Sequence, residues 1–240
     1  MKMTRIVIGL FCFAFLVTSV LAENAGKPAT DSAQLSPEYL KLLEMVKKKK
    51  QPVKAFSGEL DIKGQPFVGR DNAQIIVSVF ADYQCPYSKK LFENVGQTIK
   101  DNLIDTGQVK YVFFDFPLVS KHVNAAKAAE AARCAHEQGK LWEMRKTLYA
   151  NQKALHEPLL PSHANTAGLD SALFNKCLGS GKYGQSVTLN IETGHSLGVR
   201  STPTLFIGKL HGEKQLIKTM IRGAQPYDMI HREVEKVLVD

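Results

Sequence analysis

The chain has 240 residues, 44% of them hydrophobic and 22% charged, which excludes global disorder and allows one or two domains with a real core. A formal net charge of +8 invites a nucleic-acid or acidic-surface reading. Part of that excess is the run Lys47-Lys48-Lys49-Lys50, which closes a short amphipathic stretch and reads as a solvated helix end, so no nucleic-acid partner is expected.

Lys2 and Arg5 precede an unbroken apolar run from Ile6 to Val17, and Ala22 follows with Val20 two residues before it. A basic start, an apolar middle and small residues at the cut site form the pattern of a secretory signal peptide. The run is short for a bilayer span. Residues 1–22 are therefore expected to be cleaved near Ala22, leaving a periplasmic or otherwise extracytoplasmic protein. Residues 23–56 read as a polar linker and an N-terminal helix. Ser36 is its N-cap, Pro37 its first residue, and Tyr39, Leu42, Leu43 and Val46 have helical spacing.

Residues 57–240 read as the folded domain. Between Gln51 and Gly69 the sequence predicts short extended pieces broken by Gly58, Gly64 and Pro66. Gln74 to Phe80 is nearly all apolar and β-branched, as a strand buried on both faces requires. Ser88 to Ile104 predicts a helix with Leu91, Val95, Ile99 and Leu103 on one stripe, and Val109 to Phe114 a second strand. Helical patterns fill Asn124–Cys134, Leu141–Tyr149, Ser171–Cys177 and Thr188–Leu197. A strand returns at Thr204–Ile207 with Leu216–Ile221 as hairpin partner, and Tyr227–Val239 predicts a closing helix. The fold class is α/β.

Cysteines carry the chemistry. Cys12 lies inside the leader, which leaves Cys85, Cys134 and Cys177. Three thiols in an oxidising compartment is an odd number, so one is expected to be free, reactive or paired with another molecule. Cys85 stands just past a buried strand and at the start of a helix, where backbone N–H groups and the helix dipole favour thiolate. Pro86 suits the first turn, where no N–H is needed. Asp82, three residues earlier, is either an acid serving the thiol or a plain polar strand end. The histidines form no Cys/His metal spacing, and no phosphate loop or hydrolase elbow occurs, so neither metal nor cofactor is expected.

The stretch Phe80-Ala81-Asp82-Tyr83-Gln84-Cys85-Pro86-Tyr87-Ser88 resembles the active-site strand and turn of DsbA-like thiol-disulfide oxidoreductases. The resemblance extends through Phe116-Pro117-Leu118 with His122, Ala128 to Ala135, Gln138 to Glu143, and Gly198 to Thr204. It implies a thioredoxin fold with a helical domain inserted at about residues 119–195, and a catalytic Cys85. By the same likeness, Pro86, Tyr87, Ser88, Thr202 and Pro203 are expected to meet substrate, with Thr202-Pro203 as a cis-proline loop facing Cys85. Some family members also carry cysteines corresponding to Cys134 and Cys177, joined as a structural bridge; the rival role for one of these is to resolve Cys85.

Ser88 departs from the family's Cys-x-x-Cys. A hydroxyl cannot join an intramolecular disulfide, so the oxidase role is in doubt while attack by Cys85 is not. The leading expectation is single-cysteine isomerase, reductase or mixed-disulfide chemistry on cysteine-containing exported proteins, completed by a membrane or small-thiol redox partner. The alternative is a non-enzymatic client- or partner-binding module.

Overall fold

Six strands form one mixed sheet in a computed structural model that describes residues 53–240. The leader and the Ser36–Lys50 stretch lie outside the described residues. In chain order the strands are β1 (Val53–Asp61), β2 (Phe67–Val68), β3 (Ile75–Ala81), β4 (Val109–Asp115), β5 (Thr204–His211) and β6 (Lys214–Arg222). Their order across the sheet is β1-β6-β5-β3-β4-β2. Only β3 and β4 run parallel, and both are buried along their whole length. The α/β thioredoxin-type fold expected from the sequence is the fold observed.

The parallel pair requires a crossover, which α1 (Pro86–Leu91) and α2 (Gln97–Ile99) supply, with π turns at Phe92–Gly96 and Lys100–Ile104. The π turns account for the apolar stripe. Leu91, Val95, Ile99 and Leu103 recur every four residues, which on a regular α-helix drifts by about 40° per step. Turns of wider pitch absorb the drift, and all four side chains are buried in one cluster.

Between β4 and β5 the chain forms α3 (Ala125–Glu137), α4 (Leu141–Ala150), α5 (Leu160–Thr166), α6 (Ser171–Ser180) and α7 (Gly184–Ser196). Alanines at 128, 129, 131, 132 and 135 let α3 lie close against its neighbours, and all are buried. Cys134 of α3 and Cys177 of α6 are joined, with Cα atoms 5.8 Å apart. Arg133 Nε donates to the Asp115 carboxylate at 2.6 Å, tying α3 to the end of β4. A last helix, α8 (Tyr227–Val239), buries Ile230, Val234 and Val237.

Alternation along β3 divides the core. Ile75, Val77 and Val79 join the larger cluster with α1 and the inserted helices. Ile76 and Phe80 join Phe114, Phe116, Phe206 and Met220 on the other face. There α7 approaches so closely that a Cβ on Gly194 would lie 2.5 Å from the Phe116 ring.

Three expectations are corrected. β1 begins at Val53, inside the stretch read as linker, because its residues pair with β6 from Val53↔Ile221 onward. Gly58 does not break this strand: a register shift between Ala55 and Gly58 takes up the irregularity and pairing resumes with Ile217. The crossover helix starts at Pro86 rather than Ser88.

Candidate active site

At the end of β3 the chain turns through Asp82, Tyr83 and Gln84 before Cys85 caps α1. Cys85 takes an extended conformation (φ −74°, ψ 122°), and Pro86 occupies the first helical turn. The Lys89 N–H donates to the Cys85 carbonyl at 3.1 Å. The sulfur thus sits at the N-terminal end of a helical segment that continues to Ile104, where the dipole favours an anion.

Cys85 is 5% exposed. Its thiol donates to the Thr202 carbonyl at 3.4 Å, and the Thr202-Pro203 peptide bond is cis. Residues 117 apart in sequence therefore form one site. The Thr202 hydroxyl is buried and has no hydrogen-bond partner among the described residues. Pro86 and Tyr87 are exposed, Tyr87 to 62%.

Ser88 is only 2% exposed, and its hydroxyl oxygen accepts the Asp82 N–H at 3.3 Å. The expectation that Ser88 touches substrate is corrected: it is one helical turn from Cys85 and points inward. It lines a cavity of about 10 Å³ with Arg145, Phe113 and Tyr149, room for about one water. Arg145 is buried without a carboxylate. Its guanidinium lies 3.9 Å from the Phe113 ring centroid, donates to the Tyr83 hydroxyl at 2.7 Å and leaves Nε unpartnered. Burial pushes the Tyr149 phenol up to about 12, and raises Tyr83 further, so both remain neutral hydroxyls.

Asp82 organises the turn. Its Oδ1 accepts from the N–H groups of Gln84 at 2.7 Å and Cys85 at 3.1 Å. Its Oδ2 accepts from the Leu118 N–H at 2.7 Å and meets His122 Nδ1 at 2.7 Å. The plain strand-end reading of Asp82 is thereby set aside. The same carboxylate draws the β4–α3 loop against the active turn, and Gln84 adds to this by accepting the Asn124 N–H at 2.7 Å. That loop exposes Val119 and Val123.

Gln152 is a residue that sequence reasoning missed. Its amide donates to the carbonyls of Tyr83 at 2.6 Å and Cys85 at 3.0 Å, and nothing in its local sequence signals this. His122 carried a signal only as part of the Phe116-Pro117-Leu118 motif. Cys85 is the free cysteine among the described residues, since Cys134 and Cys177 are bonded to each other.

The thioredoxin family's profile matches residues 61–221. Disulfide bond formation protein D of Bacillus subtilis is 25% identical over 190 residues, covering 77% of this chain and 82% of that protein. The oxidised crystal structure of BdbD from Bacillus subtilis superposes with a TM-score of 0.62 at 25% identity, over 78% of this chain and all of that one. Alpha-DsbA1 of Wolbachia pipientis shares the fold, with a TM-score of 0.63 at 24% identity over 74% and 92% of the two chains. A stretch of Na(+)/H(+) antiporter NhaA 3 of Salinispora tropica is 32% identical over 144 residues, 60% of this chain. The match takes in only 22% of that antiporter's length.

Proposed function

The chain belongs to the thioredoxin family and is DsbA-like in fold, and from that premise we propose that it is an exported thiol-disulfide oxidoreductase acting through Cys85 alone. The observation that carries this reading is the meeting of the Cys85 sulfur, at a helix N-terminus, with the cis Thr202-Pro203 loop. The Cys85 thiolate attacks one sulfur of a protein disulfide; a mixed disulfide forms and the other substrate sulfur leaves as thiolate. With a hydroxyl at Ser88, release requires a second thiol, either the substrate's own or an external small thiol or redox partner. That thiol attacks the mixed disulfide and Cys85 returns to thiolate, so no net oxidant is consumed in isomerisation.

Main-chain groups of the Thr202-Pro203 loop, which meets the Cys85 sulfur, offer hydrogen bonds to an extended substrate. Tyr87, Val119 and Val123 offer apolar contact. Export rests on the signal-peptide pattern of residues 1–22, with a periplasmic or other extracytoplasmic destination. The test is covalent capture: protein from the secreted or periplasmic fraction is searched by mass spectrometry for reductant-sensitive adducts. Adducts with the native chain and none with Cys85→Ala are expected; a native chain without adducts refutes the reading. The binding-module alternative draws on the same exposed apolar residues, and is favoured if adducts form but added glutathione never releases them.

A further inference from the structure

We propose that Gln152 is a positioning residue for Cys85, aiming its sulfur at a peptide disulfide held along the Thr202-Pro203 loop. The inference rests on the Cys85 reading above and deepens it by naming the group through which the inserted helices set the rate of attack.

The turn before α1 is held peptide by peptide. In the unit joining Tyr83 to Gln84, the N–H donates to Asp82 Oδ1 and the carbonyl accepts from Gln152 Nε2 at 2.6 Å. The next unit gives its N–H, that of Cys85, to the same Asp82 oxygen. The unit joining Cys85 to Pro86 has no N–H, so its carbonyl is its one polar handle. That carbonyl accepts from the Lys89 N–H and from Gln152 Nε2 at 3.0 Å. The Tyr83 carbonyl, outside helix and strand, meets no backbone donor among the described residues. Two hydrogens of one amide thus fix two carbonyls, and the backbone on both sides of Cys85 is pinned. The freedom left to the sulfur is rotation about χ1, and it stands 3.4 Å from Thr202 O.

Gln152 is itself anchored. It follows α4 in a turn closed by the Ala154 N–H, which donates to the Asn151 carbonyl at 2.8 Å. Asn151 Nδ2 donates back to the Thr147 carbonyl at 2.8 Å, and Arg145 of the same helix donates to the Tyr83 hydroxyl at 2.7 Å. The insertion therefore grips Tyr83 by both its side chain and its carbonyl. Attack requires the entering sulfur to be aligned with the bond it breaks. A peptide seated on the cis loop cannot shift to meet a sulfur that wanders; a small disulfide, free to approach in many poses, can.

The experiment follows release of nitrothiobenzoate by the full mature chain from two disulfides with that same leaving group. One joins it to the cysteine of a short extended peptide, and the other is the symmetrical small reagent. In each, the Cys85 thiolate bonds to one sulfur and the S–S electron pair departs on nitrothiobenzoate. Gln152→Leu removes both donors. It should slow the peptide reaction roughly tenfold and leave the small reagent within about twofold of its native rate. Gln152→Glu sets a carboxyl against two carbonyl oxygens, to which only the protonated acid can donate, so its value lies above the ordinary ~4.3. Its peptide rate relative to the native chain should climb as pH falls from about 8 to about 5, because protonation restores one donor. The Gln152→Leu ratio should stay flat. Equal slowing toward both disulfides, no slowing, or a glutamate ratio as flat as the leucine one overturns the assignment. A native chain unreactive toward the peptide disulfide overturns the Cys85 reading itself, and this inference with it.

Discussion

Replacing Asp82 with asparagine tests whether one buried carboxylate organises the active turn. Four donors converge on its two oxygens: the N–H groups of Gln84, Cys85 and Leu118, and His122 Nδ1. Asparagine keeps one carbonyl oxygen and sets an NH₂ group against the other pair. Bonds to a charged acceptor are worth roughly 1.5–3 kcal/mol each. His122 can adopt its other tautomer and accept from the new NH₂, which spares one of the two. The expected cost is therefore about 2–5 kcal/mol, a fall in Tm of roughly 5–15 °C for a domain of this size. Thermal and urea unfolding by circular dichroism measure it, with Asp101→Asn, an exposed residue whose carboxylate accepts from Gln97, as a control expected within about 0.5 kcal/mol. A loss below about 1 kcal/mol for Asp82→Asn would refute the claim that this carboxylate fixes the turn.

Ser88→Cys places a sulfur one helical turn from Cys85 and should create multiple-turnover oxidation of a reduced model protein when oxidised glutathione is supplied; substantial oxidation by the unmodified chain would contradict the single-cysteine mechanism. Replacing both Cys134 and Cys177 by alanine opens a link spanning 43 residues and should cost about 4 kcal/mol in urea unfolding. It should leave the rate of Cys85 adduct formation and release alone, and a loss of release would revive a resolving role for one of the pair. His136 is half-buried beside Phe67, and burial, helped by the Arg133 charge, pushes its value below the ordinary 6.5. The folded state thus binds that proton less readily than the unfolded chain. The associated stability is present above about pH 6.5 and is lost as pH falls through the folded value. His136→Gln should lose less stability than the native chain between pH 7.5 and 5, as read from urea midpoints; identical declines would remove His136 from the acid response.

What could be read from the sequence was whatever local spacing encodes. The β-branched run at Ile75–Val79, the Pro after Cys85 and the apolar periodicity of Tyr227–Val239 each state an element within a few residues. Glycine and proline misled where pairing overrode propensity. Gly58 looked like a break because nothing local shows that β6 will supply its partners. Helix α5 was not anticipated; Pro161 falls in its first turn, where no N–H is required. At the site, Cys85 was legible but its supports were not. Gln152 reaches carbonyls 67 and 69 residues away, and Arg145 owes its place to aromatic rings from three other elements. Ser88 illustrates a subtler limit: its position in the motif was plain, whereas its inward orientation follows from the Asp82 amide it satisfies.

The margins of the sheet restrict how an unfolded polypeptide can be held. On one side, β2 covers only two residues of β4. On the other, β1 is irregular between Ala55 and Gly58 and carries Lys54, Glu59 and Asp61. Bulges and charges of this kind discourage a foreign strand from annealing. Among the described residues, neither margin is a long, flat template on which extended chains could stack. An oxidoreductase that meets unfolded chains gains from such an arrangement. It can touch sticky clients briefly at one chemical point without seeding their aggregation along its own flank.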